Sequence, residues 1–218
     1  MTNLWSVLDL SEVDVSNLVQ IIGSLGCSLE VLEIIHRTNI LRSAVIRDDP
    51  DASLVSQRQT LETRLQSLTQ RLPSAEESAT PHLILATAEW YRLSALLYLL
   101  RVVPMPGSAD DAVRAACVDQ SLDVLTTLDL ATSPWPLFIL ACEINTGSSS
   151  DDARRVRILN TLDRMDNERN VGNVLILREL IRTFWTQCDL RSAGGAMVGA
   201  PPLKWWELMN SGTMPWFI

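Results

Sequence analysis

Residues 81–103, PHLILATAEWYRLSALLYLLRVV, decide how this chain folds. Thr80 and Pro81 form a typical helix start, because threonine favours the N-cap position and proline favours the first helical turn. From there to Val103 the apolar side chains surround the helix instead of following one stripe. Such a helix is stable only when other helices cover it on all sides. We therefore predict that residues 82–103 form the centre of a helical bundle.

The segments on either side of this helix also show helical patterns. Apolar side chains recur at alternating spacings of four and three from Leu54 to Leu72, which predicts an amphipathic helix that Pro73 ends. Further helices are expected from Asp14 and Ser28 onward and at about 108–128, 134–141, 153–167, 173–190 and 205–208. No stretch alternates in the manner of a β-strand. The sequence therefore predicts a single all-α domain of about nine helices over residues 1–218.

The composition excludes two classes of protein. A chain with 47% apolar residues buries enough surface to offset the entropy of folding, so intrinsic disorder is excluded. With 18 basic and 26 acidic residues the net charge is −8, which opposes direct binding to nucleic-acid phosphates. All the basic residues except Lys204 are arginines, which keep their charge when partly buried. Internal ion pairs would explain this arginine excess, and so would codon bias in a GC-rich genome.

Signals for export, membrane insertion and metal binding are missing. Residues 1–10 lack the basic and apolar parts of a signal peptide, and Ser94 and Arg101 interrupt the most apolar run, Leu93–Val103. The cysteines are widely scattered, which favours reduced thiols over disulfides or a zinc site. They are Cys27, Cys117, Cys142 and Cys188. We expect an intracellular protein without metal, cofactor or membrane attachment, and a homodimer remains open.

Common catalytic motifs are absent, including a phosphate-binding glycine loop, GxSxG, HExxH and CxxC. His82, Glu89 and Glu143 are the weak catalytic candidates, because they are titratable groups in apolar or helix-end surroundings. Each also has a structural interpretation. His82 would serve at a helix end, and Glu89 would form an i,i+3 ion pair with Arg92. Glu143 would pair with the arginine cluster that includes Arg157 on the following helix.

Aromatic side chains are the more informative feature. Seven tryptophans exceed what the core of a small helical domain normally needs. Aromatic residues that converge between helices can line an apolar ligand cavity, although core packing explains any single one of them. The candidate ligand-binding residues are Trp90, Tyr91, Tyr98, Trp135, Phe138, Cys142, Phe184 and Trp185.

Several segments, in order along the chain, resemble one known family. They are AEWYRLSALLYLLR at 88–101, WPLF and ACE within 135–143, RRVRI at 154–158, GN at 172–173, and the terminal 206–218 with its Trp, Leu, Met and Gly. The entry GCS at 26–28 and Trp185 also fit. Over residues 26–218 the chain resembles the second type of regulatory, or middle-homology, domain of fungal binuclear zinc-cluster transcription factors.

This resemblance implies an all-helical regulatory domain that binds a small apolar metabolite, such as a sterol, terpenoid or polyketide. The six clustered cysteines of the family's DNA-binding module are absent from this sequence, so we do not expect DNA binding of the family's kind.

Two other functions remain open. One is a cofactor-free enzyme of a fungal terpenoid or polyketide pathway, such as a cyclase or pericyclase that catalyses a Diels–Alder cycloaddition by holding its substrate in a reactive shape. The other is a protein–protein interaction module that uses the Leu54–Leu72 stripe as its contact face.

Overall fold

The computed structural model describes residues 15–47, 53–73, 80–105, 108–128, 133–144, 149–169, 174–193 and 203–208. In these ranges the helices are α1 (Val15–Leu18), α2 (Leu29–Ile46), α3 (Ser53–Ser67), α4 (Pro81–Val102), α5 (Ser108–Thr127), α6 (Pro134–Glu143), α7 (Ser149–Arg169), α8 (Val174–Ala193) and α9 (Trp205–Leu208). Two strands of two residues each, β1 (Ile21–Ile22) and β2 (Cys27–Ser28), pair antiparallel. The all-α class is confirmed. The GN segment at 172–173 and the terminal residues 209–218 lie outside these ranges.

Helix α4 is the central helix, as the sequence predicts. Every side chain from Leu93 to Val102 is buried, and α4 contacts α2, α3, α5 and α6. The complete helix is long and apolar enough to cross a membrane by length and composition alone. Inside this fold, however, four other helices surround its apolar length, which is the environment of a core helix in a globular bundle.

Helix α3 ends at Ser67, so the predicted continuation to Leu72 is wrong. The backbone beyond Ser67 pairs with the chain before β1 instead. Arg71 N donates to the Val19 carbonyl at 3.0 Å, and Ile21 N donates to the Arg71 carbonyl at 2.8 Å. These bonds satisfy peptide groups that a longer helix would otherwise pair internally, so the apolar spacing alone could not locate the end.

A small hairpin replaces most of the helix that the sequence predicts after Asp14. Between β1 and β2, Gly26 adopts φ +75°, a conformation that glycine tolerates far better than other residues. A Cβ atom at this position would lie 3.1 Å from Thr87 Cγ2 and 3.3 Å from Tyr91 Cε2. Close approach to α4 therefore also favours glycine. Strands of two residues are too short to show alternation, which is why the sequence pattern missed them.

Ion pairs account for most of the arginines. Arginines paired with carboxylates within the described ranges are Arg37, Arg58, Arg64, Arg92, Arg101, Arg114, Arg154, Arg155, Arg164, Arg178 and Arg182. Several of these pairs join different helices. Arg155 on α7, for example, contacts both carboxylate oxygens of Asp189 on α8 at 3.0 Å. The arginine excess therefore has a structural use in orienting helices.

Candidate functional site

Five aromatic side chains pack on one another where α4, α6 and α9 meet. Tyr91 stacks on Trp135 with ring centroids 5.9 Å apart, and Trp135 meets Tyr98 edge-on at 6.2 Å. Tyr98 contacts Trp205 at 6.1 Å, and Trp205 contacts Phe138 edge-on at 5.2 Å. These five residues, Tyr91, Tyr98, Trp135, Phe138 and Trp205, are called the aromatic cluster below.

Helical spacing explains how the rings come together. Tyr91 and Tyr98 lie seven residues apart on α4, so two helical turns place them on the same face. Trp135 and Phe138 lie three apart on α6 and are neighbours on its surface. The aromatic cluster thus contains four of the eight predicted ligand-binding residues. Trp205, which begins α9, is the member that the candidate set omits, although the crowding of tryptophans near the C-terminus was a signal for it.

The other four predicted ligand-binding residues pack in the core outside this cluster. Trp90 is fully buried on α4, and Phe184 and Trp185 are buried on α8. Trp185 Nε1 donates to the carbonyl of Ala141 at 2.9 Å, which satisfies the indole. Burial raises the pKa of the Cys142 thiol well above its ordinary value, so the thiol stays protonated and behaves as an apolar group.

Arg42 on α2 lies against the aromatic cluster. Its guanidinium carbon is 5.5 Å from the ring centroid of Trp205, and Arg42 is only 9% exposed. A cation over an indole ring gains electrostatic stabilisation, which compensates part of the cost of burying the charge. Its Nε and Nη1 atoms nevertheless have no hydrogen-bond partner among the residues that the structure describes.

Two further polar groups border the rings. The Tyr98 hydroxyl donates to Asn39 Oδ1 at 2.7 Å. Burial raises the pKa of Tyr98 to about 12, and the nearby charge of Arg42 opposes this rise. The indole Nε1 of Trp135 is buried and lacks a hydrogen-bond partner in the described ranges. The cluster therefore combines a large apolar surface with buried donors that no described residue satisfies, and many small-molecule sites have this composition.

The weak catalytic candidates lie in ordinary structural surroundings. His82 is exposed in the first turn of α4. Glu89 pairs with Arg92 at 2.5 Å, in the i,i+3 arrangement that the sequence predicts. Arg92 also donates to the Leu65 carbonyl at 2.8 Å, so it connects α4 to α3.

Glu143 has different partners from those that the sequence predicts. Its carboxylate accepts from Arg101 Nε at 2.8 Å and from Arg114 Nη2 at 2.5 Å, not from the arginines of α7. Arg101 also donates to the carbonyls of Cys142, at 2.8 Å, and Leu203, at 3.3 Å. These contacts form a buried network that joins α4, α5, α6 and the segment before α9.

The predicted ion pair of Arg157 is also wrong, because its guanidinium donates to the backbone carbonyl of Leu122 at 2.5 Å. The neighbouring arginines of α7 have nearer carboxylates. Arg154 pairs with Asp119 and Asp151, and Arg155 pairs with Asp189. Carboxylates thus already neutralise Arg154 and Arg155, and Glu143 pairs with Arg101 of α4 and Arg114 of α5 instead.

Open clefts lie on both sides of the extended residues that follow α3. One has a volume of about 380 Å³ and includes Glu30 and Arg64, and the other, of about 310 Å³, includes Glu89 and Arg92. In each cleft these charged side chains already pair with one another. Neither cleft is lined by a residue of the aromatic cluster.

A helical bundle with a central apolar helix, a buried ionic network and a converging set of rings defines an all-α domain without a recognisable catalytic constellation in its described parts. A family model described as the fungal specific transcription factor domain matches residues 3–218. The chain therefore belongs to this family, which confirms the resemblance seen in the sequence. No curated protein and no solved structure matches the chain.

Proposed function

We propose that this chain is an intracellular regulatory domain that binds a small apolar metabolite at the aromatic cluster. Membership of a transcription-factor domain family supports the regulatory part of the proposal. The observation that carries the ligand-binding part is the cluster itself. Rings from three helices converge there, and the buried donors of Arg42 and Trp135 are not satisfied by the described residues.

The edges of the cluster offer a path for a ligand. Asn39, Tyr91 and Trp206 are only partly buried, and Trp206 packs edge-on against Trp205 at 5.3 Å. Helix α9 is a four-residue helix, so few backbone hydrogen bonds hold it. A ligand that enters beside Trp205 would move α9. Such a displacement is the kind of change that a regulatory domain can transmit to a partner.

Native mass spectrometry after incubation with an organic extract of fungal mycelium tests the proposal. The expected result is a bound apolar molecule on the wild-type chain and a weaker signal on Trp135→Ala. The matched control is Trp185→Ala, which removes another buried indole, outside the aromatic cluster. Circular dichroism checks that both variants fold.

Two outcomes would contradict the proposal. If no apolar molecule is retained from any extract, the chain does not bind a metabolite of this class. If folded Trp135→Ala retains the molecule as well as the wild type does, the aromatic cluster is not the site.

A further inference from the structure

Three arginines are buried in the described part of the chain, and they differ in what neutralises them. Arg58 Nη2 lies 2.7 Å from Asp110 Oδ1, and Arg101 Nε lies 2.8 Å from Glu143 Oε1. The nitrogens Nε and Nη1 of Arg58 lack hydrogen-bond partners among the described residues, yet the charge of Arg58 is paired with Asp110. Arg42 has no carboxylate partner among the described residues, and its known neighbours are aromatic rings.

A buried guanidinium without a counter-charge is expensive. Removal of a charge from water costs far more than the gain from one cation–π contact at a partly shielded site. Arginine cannot lose its proton to avoid this cost, because its pKa is too high. Arg42 is therefore suited to receive an anion.

Among the described residues, the buried unsatisfied atoms of the aromatic cluster and of Arg42 are all donors. They are Nε and Nη1 of Arg42 and Nε1 of Trp135. Donors of this kind are complemented by a group that only accepts hydrogen bonds, and an anionic acceptor such as a carboxylate or sulfonate forms charge-assisted bonds with a guanidinium. The chemistry of the site thus specifies the head group of its ligand as well as an apolar body.

We infer that the ligand of the aromatic cluster is an apolar organic anion, whose acidic group pairs with Arg42 and whose hydrocarbon body packs against the rings. This inference rests on the proposed function and narrows its ligand to amphipathic organic acids.

A matched pair of fluorescent dyes tests the inference on the full chain. Anilinonaphthalenesulfonate carries an anionic group, and phenylnaphthylamine has the same ring system without it. We expect Arg42→Met to lower the affinity for the sulfonate dye by about tenfold, which is the effect of losing one charge-assisted pair. The affinity for phenylnaphthylamine should not change. Arg37→Met is the control, since Arg37 is an exposed arginine of the same helix, and it should affect neither dye.

Arg42→Lys provides a second variant that keeps the charge but loses the planar fork. Arg42→Lys should lower the affinity for the sulfonate dye less than Arg42→Met does. Thermal unfolding checks that each variant is folded, because dyes of this type also bind partly unfolded chains.

The outcomes separate this inference from the proposed function. Suppose that both dyes bind the wild type and that Trp135→Ala lowers the affinity for both. If Arg42→Met then affects the two dyes equally, the anion inference is overturned, whereas the apolar site of the proposed function is retained. If neither dye binds the wild type, or Trp135→Ala leaves both unaffected, the proposed function fails together with the inference.

Discussion

Arg101 and Arg42 are both buried guanidinium groups, yet their surroundings differ. Arg101 donates to Glu143 and to the carbonyls of Cys142 and Leu203. Arg42 packs on Trp205 and leaves Nε and Nη1 without partners in the described ranges. Both reach the segment at 203–208. Arg101 therefore holds this segment through satisfied hydrogen bonds. Arg42 also contacts the segment, but two of its buried donors have no partner among the described residues.

The largest expected effect concerns the Arg101 network. Glu143→Ala leaves Arg101 buried without a carboxylate, so we expect the free energy of unfolding to fall by about 3–5 kcal/mol. Urea denaturation measures this change. The control is Glu179→Ala, which breaks an exposed pair with Arg182 and should cost no more than about 1 kcal/mol.

If Glu143→Ala does not fold, the double variant Arg101→Met/Glu143→Leu still tests the network. Replacing both charges with apolar groups should restore much of the stability. A Glu143→Ala variant as stable as the Glu179→Ala control would remove the contrast between the two regions.

Gly26→Ala tests the packing at the edge of the aromatic cluster. A side chain at φ +75°, close to Thr87 and Tyr91, should lower the free energy of unfolding by about 2 kcal/mol. Gly23→Ala in the same hairpin is the matched control, and we expect a smaller effect from it. Both are measured by urea denaturation, and equal losses would show that the left-handed backbone at Gly26 is not the cause.

Arg42→Met should change stability in the opposite direction to Glu143→Ala. It removes a buried charge without a counter-ion and keeps an apolar stem of similar length, so the free energy of unfolding should rise by about 1 kcal/mol. Thermal or urea unfolding without added ligand measures it. A loss as large as that of Glu143→Ala would mean that the chain itself already neutralises Arg42.

Tyr98→Phe should also have a small effect on stability. Loss of the hydrogen bond to Asn39 should lower the free energy of unfolding by about 1 kcal/mol at neutral pH. In the folded chain the pKa of Tyr98 is raised from 10 to about 12, so its stabilising contribution is complete below pH 10 and is lost as the pH rises through about 12.

Between pH 10 and pH 12 the free energy of unfolding of Tyr98→Phe should therefore decline less steeply than that of the wild type. Urea denaturation across this range compares the two slopes. Identical slopes would show that Tyr98 is not as strongly buried as its position beside Trp205 indicates.

Local features of the sequence predicted a large part of this arrangement. The all-round apolar pattern placed α4 to within one residue at each end. Spacing along a single helix correctly paired Glu89 with Arg92. These predictions succeeded because they depend on the helical repeat alone.

The predictions that failed depended on contacts between distant segments. The early end of α3 reflects backbone pairing with Val19 and Ile21, and the partners of Glu143 come from α4 and α5. Arg42 was not a candidate at all, because nothing in its local sequence distinguishes it from the exposed Arg37 on the same helix.

The sequence by itself determined the fold class, the central helix and the family, because apolar periodicity and ordered motifs are properties of the chain. Only the tertiary structure decided which charges are neutralised and which rings converge. Burial of a guanidinium, and the presence or absence of a carboxylate beside it, depend on how several helices pack together. The difference between Arg101 and Arg42 therefore appears only in the folded protein.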